Sequence, residues 1–127
     1  MKIRHALPLF LSLAAGAVDA AETDLVSINW SPEGRFVHET TLLASRFIEV
    51  CGQLAAGSRI DWAFEAAAPL NFNIHFHEGK QVRFPAKRDQ VTKADGTLRA
   101  EVAQDYCWMW TNKTAADAQM KLTLKRQ

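Results

Sequence analysis

From Leu70 to His77 the chain reads Leu-Asn-Phe-Asn-Ile-His-Phe-His, with apolar and polar side chains alternating without a break. A period of two fits a β-strand, because successive strand side chains point to opposite faces. Leu70, Phe72, Ile74 and Phe76 therefore share one face, and Asn71, Asn73, His75 and His77 share the other. A strand with one greasy face belongs in a sheet that covers that face and leaves the other wet.

The rest of the chain follows the same rhythm. Ile60, Trp62 and Phe64 alternate with polar or small residues until Ala67, Ala68 and Pro69 break the run. Glu78-Gly79 is a turn signal, and Gln81 to Phe84 resumes an extended pattern. Ala94-Asp95-Gly96 reads as a hairpin-type turn, followed by alternating Leu98, Ala100 and Val102. Tyr106 to Trp110 is aromatic-rich and expected to be buried. Met120, Leu122 and Leu124 alternate with Lys121, Thr123 and Lys125 in a last strand. Upstream, Leu25 to Trp30 suggests a strand and Ser31-Pro32-Glu33-Gly34 a turn. Thr41 to Cys51 fits either periodicity and is read as a strand because its neighbours are strands. Short strands between turns predict an all-β chain, an antiparallel β-sandwich.

The first residues have a different logic. Lys2 and Arg4 precede an apolar run from Ala6 to Val18, and Val18-Asp19-Ala20 supplies short residues at a peptidase site. These features predict a cleaved signal peptide over residues 1–20, leaving one domain over residues 21–127 in the periplasm or outside the cell. The run is too short to span a bilayer, and no second apolar segment follows, so no membrane insertion is expected after the leader is removed. The whole chain carries a formal charge of +1, and no basic patch favours nucleic acid. Two cysteines, Cys51 and Cys107, remain. An even count in an exported chain favours a disulfide, and the close Cys-x-x-Cys spacing of a redox pair is missing. Closing so long a loop contributes about 4 kcal/mol in the chain-entropy account.

Trp62-Ala63-Phe64, Phe72-Asn73-Ile74, Gly96 and Tyr106-Cys107-Trp108-Met109-Trp110-Thr111-Asn112 together resemble the core pattern of GOLD domains. These are the β-sandwich lumenal modules of the emp24/p24 family. The resemblance covers about residues 60–124 and rests on hydrophobic patterning. It implies a sandwich, a bridge from an early strand to the late aromatic strand, and a binding role without catalysis. The coiled coil, membrane helix and tail of p24 proteins have no counterpart here, so the resemblance does not imply cargo transport.

His75-x-His77 is the sharpest candidate site. Two residues apart on a strand, both imidazoles project from one face about 7 Å apart. If Tyr106, Trp108 and Trp110 fill the core, Met109 faces outward and a His75, His77, Met109 group would suit copper, since thioether selects Cu(I). If the strand packs the other way, Trp108 and Trp110 lie exposed with Asn71 and Asn73 as a patch for a sugar or a protein. The bland reading is two histidines on a solvated face. His38 and Glu39 form a further pair with no spacing that joins them to His75. Glu78 is a metal ligand or acid/base candidate whose simpler role is in a turn. Lys80, Arg83, Lys87 and Arg88 read as a solvated strand edge. Asn29-Trp30-Ser31 and Asn112-Lys113-Thr114 match the glycosylation sequon, by chance if the chain is bacterial.

No Gly-x-Ser-x-Gly elbow, His-Glu-x-x-His or Gly-rich phosphate loop occurs. The expectation is an exported, non-catalytic binding module acting through protein or small-ligand contacts. The alternative is a periplasmic copper protein.

Overall fold

Residues 24–127 are described by the computed structural model. The leader expected over residues 1–20 lies outside them. Seven strands follow: β1 (Leu25–Ser27), β2 (Arg35–Leu42), β3 (Phe47–Leu54), β4 (Arg59–Glu78), β5 (Gln81–Arg99), β6 (Gln104–Thr111) and β7 (Ala118–Arg126). Among the described residues no helix is long and apolar enough to cross a membrane.

β4 organises the fold. Its first half, Ile60 to Ala66, pairs antiparallel with β7, and its second half, Asn71 to His75, pairs antiparallel with β6. β5 runs along the opposite edge of both halves. β1 and β3 extend the sheet beyond β6, and β2 extends it beyond β7. Between the halves, Glu65 pairs with Lys93 and Leu70 with Val91, so Ala66 to Pro69 stand against Thr92 alone. Extra residues on one strand force a bend there. Phe64 and Phe72 measure it: eight residues of straight strand span about 26 Å, yet their ring centroids lie 4.7 Å apart. One continuous sheet thus curls into two facing layers. The first holds β1, β3, β6, the second half of β4 and the first half of β5. The second holds β2, β7, the first half of β4 and the second half of β5.

The core lies between these layers, where the alternating apolar faces meet. Trp62, Phe64, Phe72 and Trp110 form its aromatic centre, with Phe64 packed edge-on to Trp110 at 5.5 Å and Trp62 5.0 Å from Phe72. Leu70, Ile74, Leu122 and Leu124 are fully buried around them. Tyr106 closes one end, its hydroxyl donating to the carbonyl of Val102 at 2.9 Å. Asn112 closes another. It is fully buried, and its Nδ2 donates to the carbonyls of Leu42 and Ala116 while Oδ1 accepts from Thr114 N and Oγ1. A buried amide must be satisfied in this way.

The all-β expectation and the Cys51–Cys107 bridge both hold, with a sulfur–sulfur distance of 2.09 Å. Several details differ. β1 pairs with β3 in parallel, so the sheet is mixed. Ala67, Ala68 and Pro69 bend a strand instead of ending it. Ala94-Asp95-Gly96 is no turn: it lies inside β5, where Gly96 pairs with Trp62. A Cβ on Gly96 would meet the Trp62 ring at 2.8 Å, so glycine is there for close approach. The region from Thr41 to Cys51 is two strands, not one, turning between Leu42 and Phe47. The exposed-tryptophan alternative is excluded, because Trp108 and Trp110 have no accessible surface.

Candidate functional site

With its aromatic residues turned inward, β6 presents Cys107 and Met109 on the outer face of the first layer. Pairing then sets the neighbours. Cys51 on β3 lies opposite Cys107, and His75 on β4 lies opposite Cys107 from the other side. Glu49, two residues before Cys51, shares that face. Glu49, Cys51, His75 and Cys107, with Ser27, Ile28, Gln53, His77 and Asp105, line an open depression of about 640 Å³.

His75 is its most constrained member, only 6 % exposed. Its Nδ1 lies 2.7 Å from Asn73 Oδ1, and its Nε2 lies 3.2 Å from Glu49 Oε1. Burial pushes the imidazole below its ordinary pKa, and this outweighs the pull of the Glu49 carboxylate in the opposite direction. A neutral ring has one N–H to give. Both Asn73 Oδ1 and Glu49 Oε1 are acceptors, so a neutral ring can donate to only one of them at a time.

The other expected site residues divide between structure and surface. His77 shares the outer face and is exposed, edge-on to His75 at 5.5 Å. Met109 is half-buried on that face, but it stands opposite Glu49 and Asn73, not His75. The proposed ligand group is therefore spread along the face, with both His75 nitrogens already engaged by side chains. Asn71 holds a backbone irregularity: its Oδ1 accepts from Gln90 N at 3.0 Å and Gln90 Nε2 at 2.8 Å, where Gln90 has a positive φ of 52°. His38 and Glu39 lie on β2 in the second layer and point to opposite faces, with Glu39 3.7 Å from Lys121. Glu78 sits at the exposed β4–β5 turn, 3.8 Å from Arg83. Asn112 is buried, so its sequon is closed to modification in the folded chain.

Beside the depression, the first half of β5 pairs with β4 on one edge and, among the described residues, with no strand on the other. Phe84 and Pro85 bulge opposite His75. Phe84 is 52 % exposed and Val82 40 %. Lys87 Nζ stands 5.9 Å from the centre of the Phe84 ring, within cation–π range. Lys80, Arg83 and Arg88 are also exposed on this hairpin. Proline and lysine there also keep a bare edge from pairing indiscriminately.

Glu49 was not visible as a site residue from local sequence, since it reaches His75 only across β6. The signal that could have found it is the alternation of Glu49, Cys51 and Gln53 on one face of β3.

No family model matches the chain, and no curated protein matches it. Solved structures do. PliG from Aeromonas hydrophila, described as a periplasmic lysozyme inhibitor of g-type lysozyme, matches with a TM-score of 0.63 and 15 % identity over 81 % of this chain and 96 % of that one. The pre-peptidase C-terminal domain of collagenase from Bacillus anthracis gives 0.60 and 12 % over 80 % and 92 %. PliG from Salmonella Typhimurium gives 0.58 and 9 % over 81 % and 98 %. At such identities the likeness is one of fold. Nothing in these comparisons supports a GOLD domain.

Proposed function

We propose that this chain is an exported, non-catalytic module of the cell envelope that binds a protein. The observation that carries the reading is the β4–β5 hairpin, where Phe84 and Val82 are exposed, Lys87 stands over the Phe84 ring, and Lys80, Arg83 and Arg88 are exposed on the same hairpin. An aromatic anchor with a polar, charged rim is the anatomy of a protein-binding surface. The neighbouring depression is open and lined in part by the disulfide, which suits contact with a surface better than enclosure of a small substrate. The periplasmic inhibitors of similar fold support both the compartment and the absence of catalysis.

A g-type lysozyme is the first partner to test, because those neighbours are described as its inhibitors. The purified protein is added to g-type lysozyme acting on bacterial cell walls. Dose-dependent inhibition at near-equimolar protein supports this partner. Undiminished lysis at a large molar excess removes it.

A further inference from the structure

Three adjacent strands bring four metal-ligating side chains to one place on the first layer. Glu49 and Cys51 come from β3, Cys107 from β6 and His75 from β4. The ligand atoms of Glu49, His75 and Cys107 all lie within 4.8 Å of one another, and the Cys51 sulfur is bonded to that of Cys107. We propose that this group is a latent zinc site, closed while the bridge stands and opened when the bridge is reduced.

The donor set and its surroundings argue for it together. Two thiolates, one imidazole and one carboxylate are the ligand types zinc takes in tetrahedral sites. A tetrahedron with bonds of 2.0–2.1 Å has ligands about 3.3 Å apart, and His75 Nε2 already stands 3.2 Å from Glu49 Oε1. Asn73 supplies the outer partner. When an ion takes Nε2 from Glu49, Asn73 Oδ1, 2.7 Å from Nδ1, is placed to accept the Nδ1–H and hold the ring, as carbonyl and carboxylate partners do around metal-bound histidines. The open depression admits both ion and reductant.

With the disulfide intact, neither sulfur is a thiolate and two ligands remain, short of a tetrahedral set. A dithiol reductant supplies two electrons and two protons. The sulfur–sulfur bond becomes two thiols, and the reductant closes into its own cyclic disulfide. Zinc then displaces the two thiol protons to solvent as two zinc–sulfur bonds form. The site would thus report on thiol redox state, a role distinct from protein binding at the hairpin.

The test uses the whole purified protein in two forms, oxidised or reduced anaerobically with a dithiol that is then removed. Each is titrated with Co(II), a spectroscopic stand-in for zinc, and then with Zn(II), with circular dichroism following the sheet. The proposal predicts one Co(II) per reduced chain, intense thiolate-to-cobalt charge-transfer absorption, and displacement by zinc. It predicts no such absorption in the oxidised protein or in Cys51→Ala/Cys107→Ala. His75→Ala and Glu49→Gln should each weaken zinc binding to the reduced chain by about tenfold or more. Equal zinc affinity in both redox forms overturns the proposal, as does a reduced protein without the absorption. So does undiminished binding by the His75 and Glu49 variants, or loss of the sheet on reduction, since only the folded sheet assembles the ligands.

Discussion

Phe64 and Phe72 occupy the same strand, yet their rings pack against each other across the core at a centroid distance of 4.7 Å. The contact exists because four residues from Ala66 to Pro69 face only Thr92 on β5, and the strand folds over at that point. Phe72, 1 % exposed, also touches Trp62 and Trp110. Phe72→Ala should cost about 3–5 kcal/mol, measured by urea unfolding, whereas Val82→Ala on the exposed hairpin should change stability by no more than about 0.5 kcal/mol. Equal losses would mean that the faces of β4 are assigned backwards.

Gly96 and Trp62 make a second close pair. A methyl group at Gly96 would meet the indole at 2.8 Å, so Gly96→Ala should destabilise by about 1–3 kcal/mol through overpacking. The penalty should shrink in a Trp62→Phe background, because the smaller ring removes the clash, and a double-mutant cycle would register the coupling. Purely additive losses would place the cost of Gly96→Ala elsewhere.

Asn112 satisfies the backbone of two loops from a fully buried position. Asn112→Ala leaves the carbonyls of Leu42 and Ala116 and the Thr114 amide without this partner. The buried Leu42 carbonyl then loses its Asn112 partner and part-buried bonds to the 112–116 loop go with it, a loss of about 1–3 kcal/mol for a buried group left unsatisfied. Thermal unfolding checks this, with exposed Asn29→Ala as the control.

Removing the bridge with Cys51→Ser/Cys107→Ser should lower stability by about 4 kcal/mol for a loop of this length, a fall of many degrees in Tm. An unchanged melting temperature would mean that the β3–β6 ladder alone constrains the chain.

Asp61 sets a pH dependence. Hydrogen bonds from Gln127 and Thr97 hold its carboxyl below the usual carboxylate range. A folded-state pKa below the unfolded value gives stability that is fully present above the unfolded pKa of about 3.9 and is lost as pH falls through the lower, folded value. Stability measured from pH 6 down to pH 2 should therefore fall less steeply in Asp61→Asn than in the parent. Parallel acid limbs would contradict the assignment.

Local rhythm made the strands legible, because burial of alternate residues is written directly into Leu70–Phe76, Ile60–Phe64 and Met120–Leu124. It could not show where strands bend. Ala67-Ala68-Pro69 looks the same whether a strand stops or folds over, and Gly96 looks the same in a turn or beneath an indole. The parallel pairing of β1 with β3 has no local signature either. At the candidate site, the outward face of His75 and His77 was legible, but the partners were not. Asn73 was legible as a same-face neighbour of His75 but its hydrogen bond to the ring was not, and Glu49 arrives from a strand two places away in the sheet.

Calorimetry with g-type lysozyme tests the central claim most directly, using the parent and the Phe84→Ala/Lys87→Ala variant. The account predicts one-to-one binding with a Kd of about 1 μM or tighter, weakened about tenfold or more in the variant as expected for an anchor residue. Lysozyme that binds neither protein would remove it as the partner, and lysozyme that binds the two equally well would contradict the role of the hairpin.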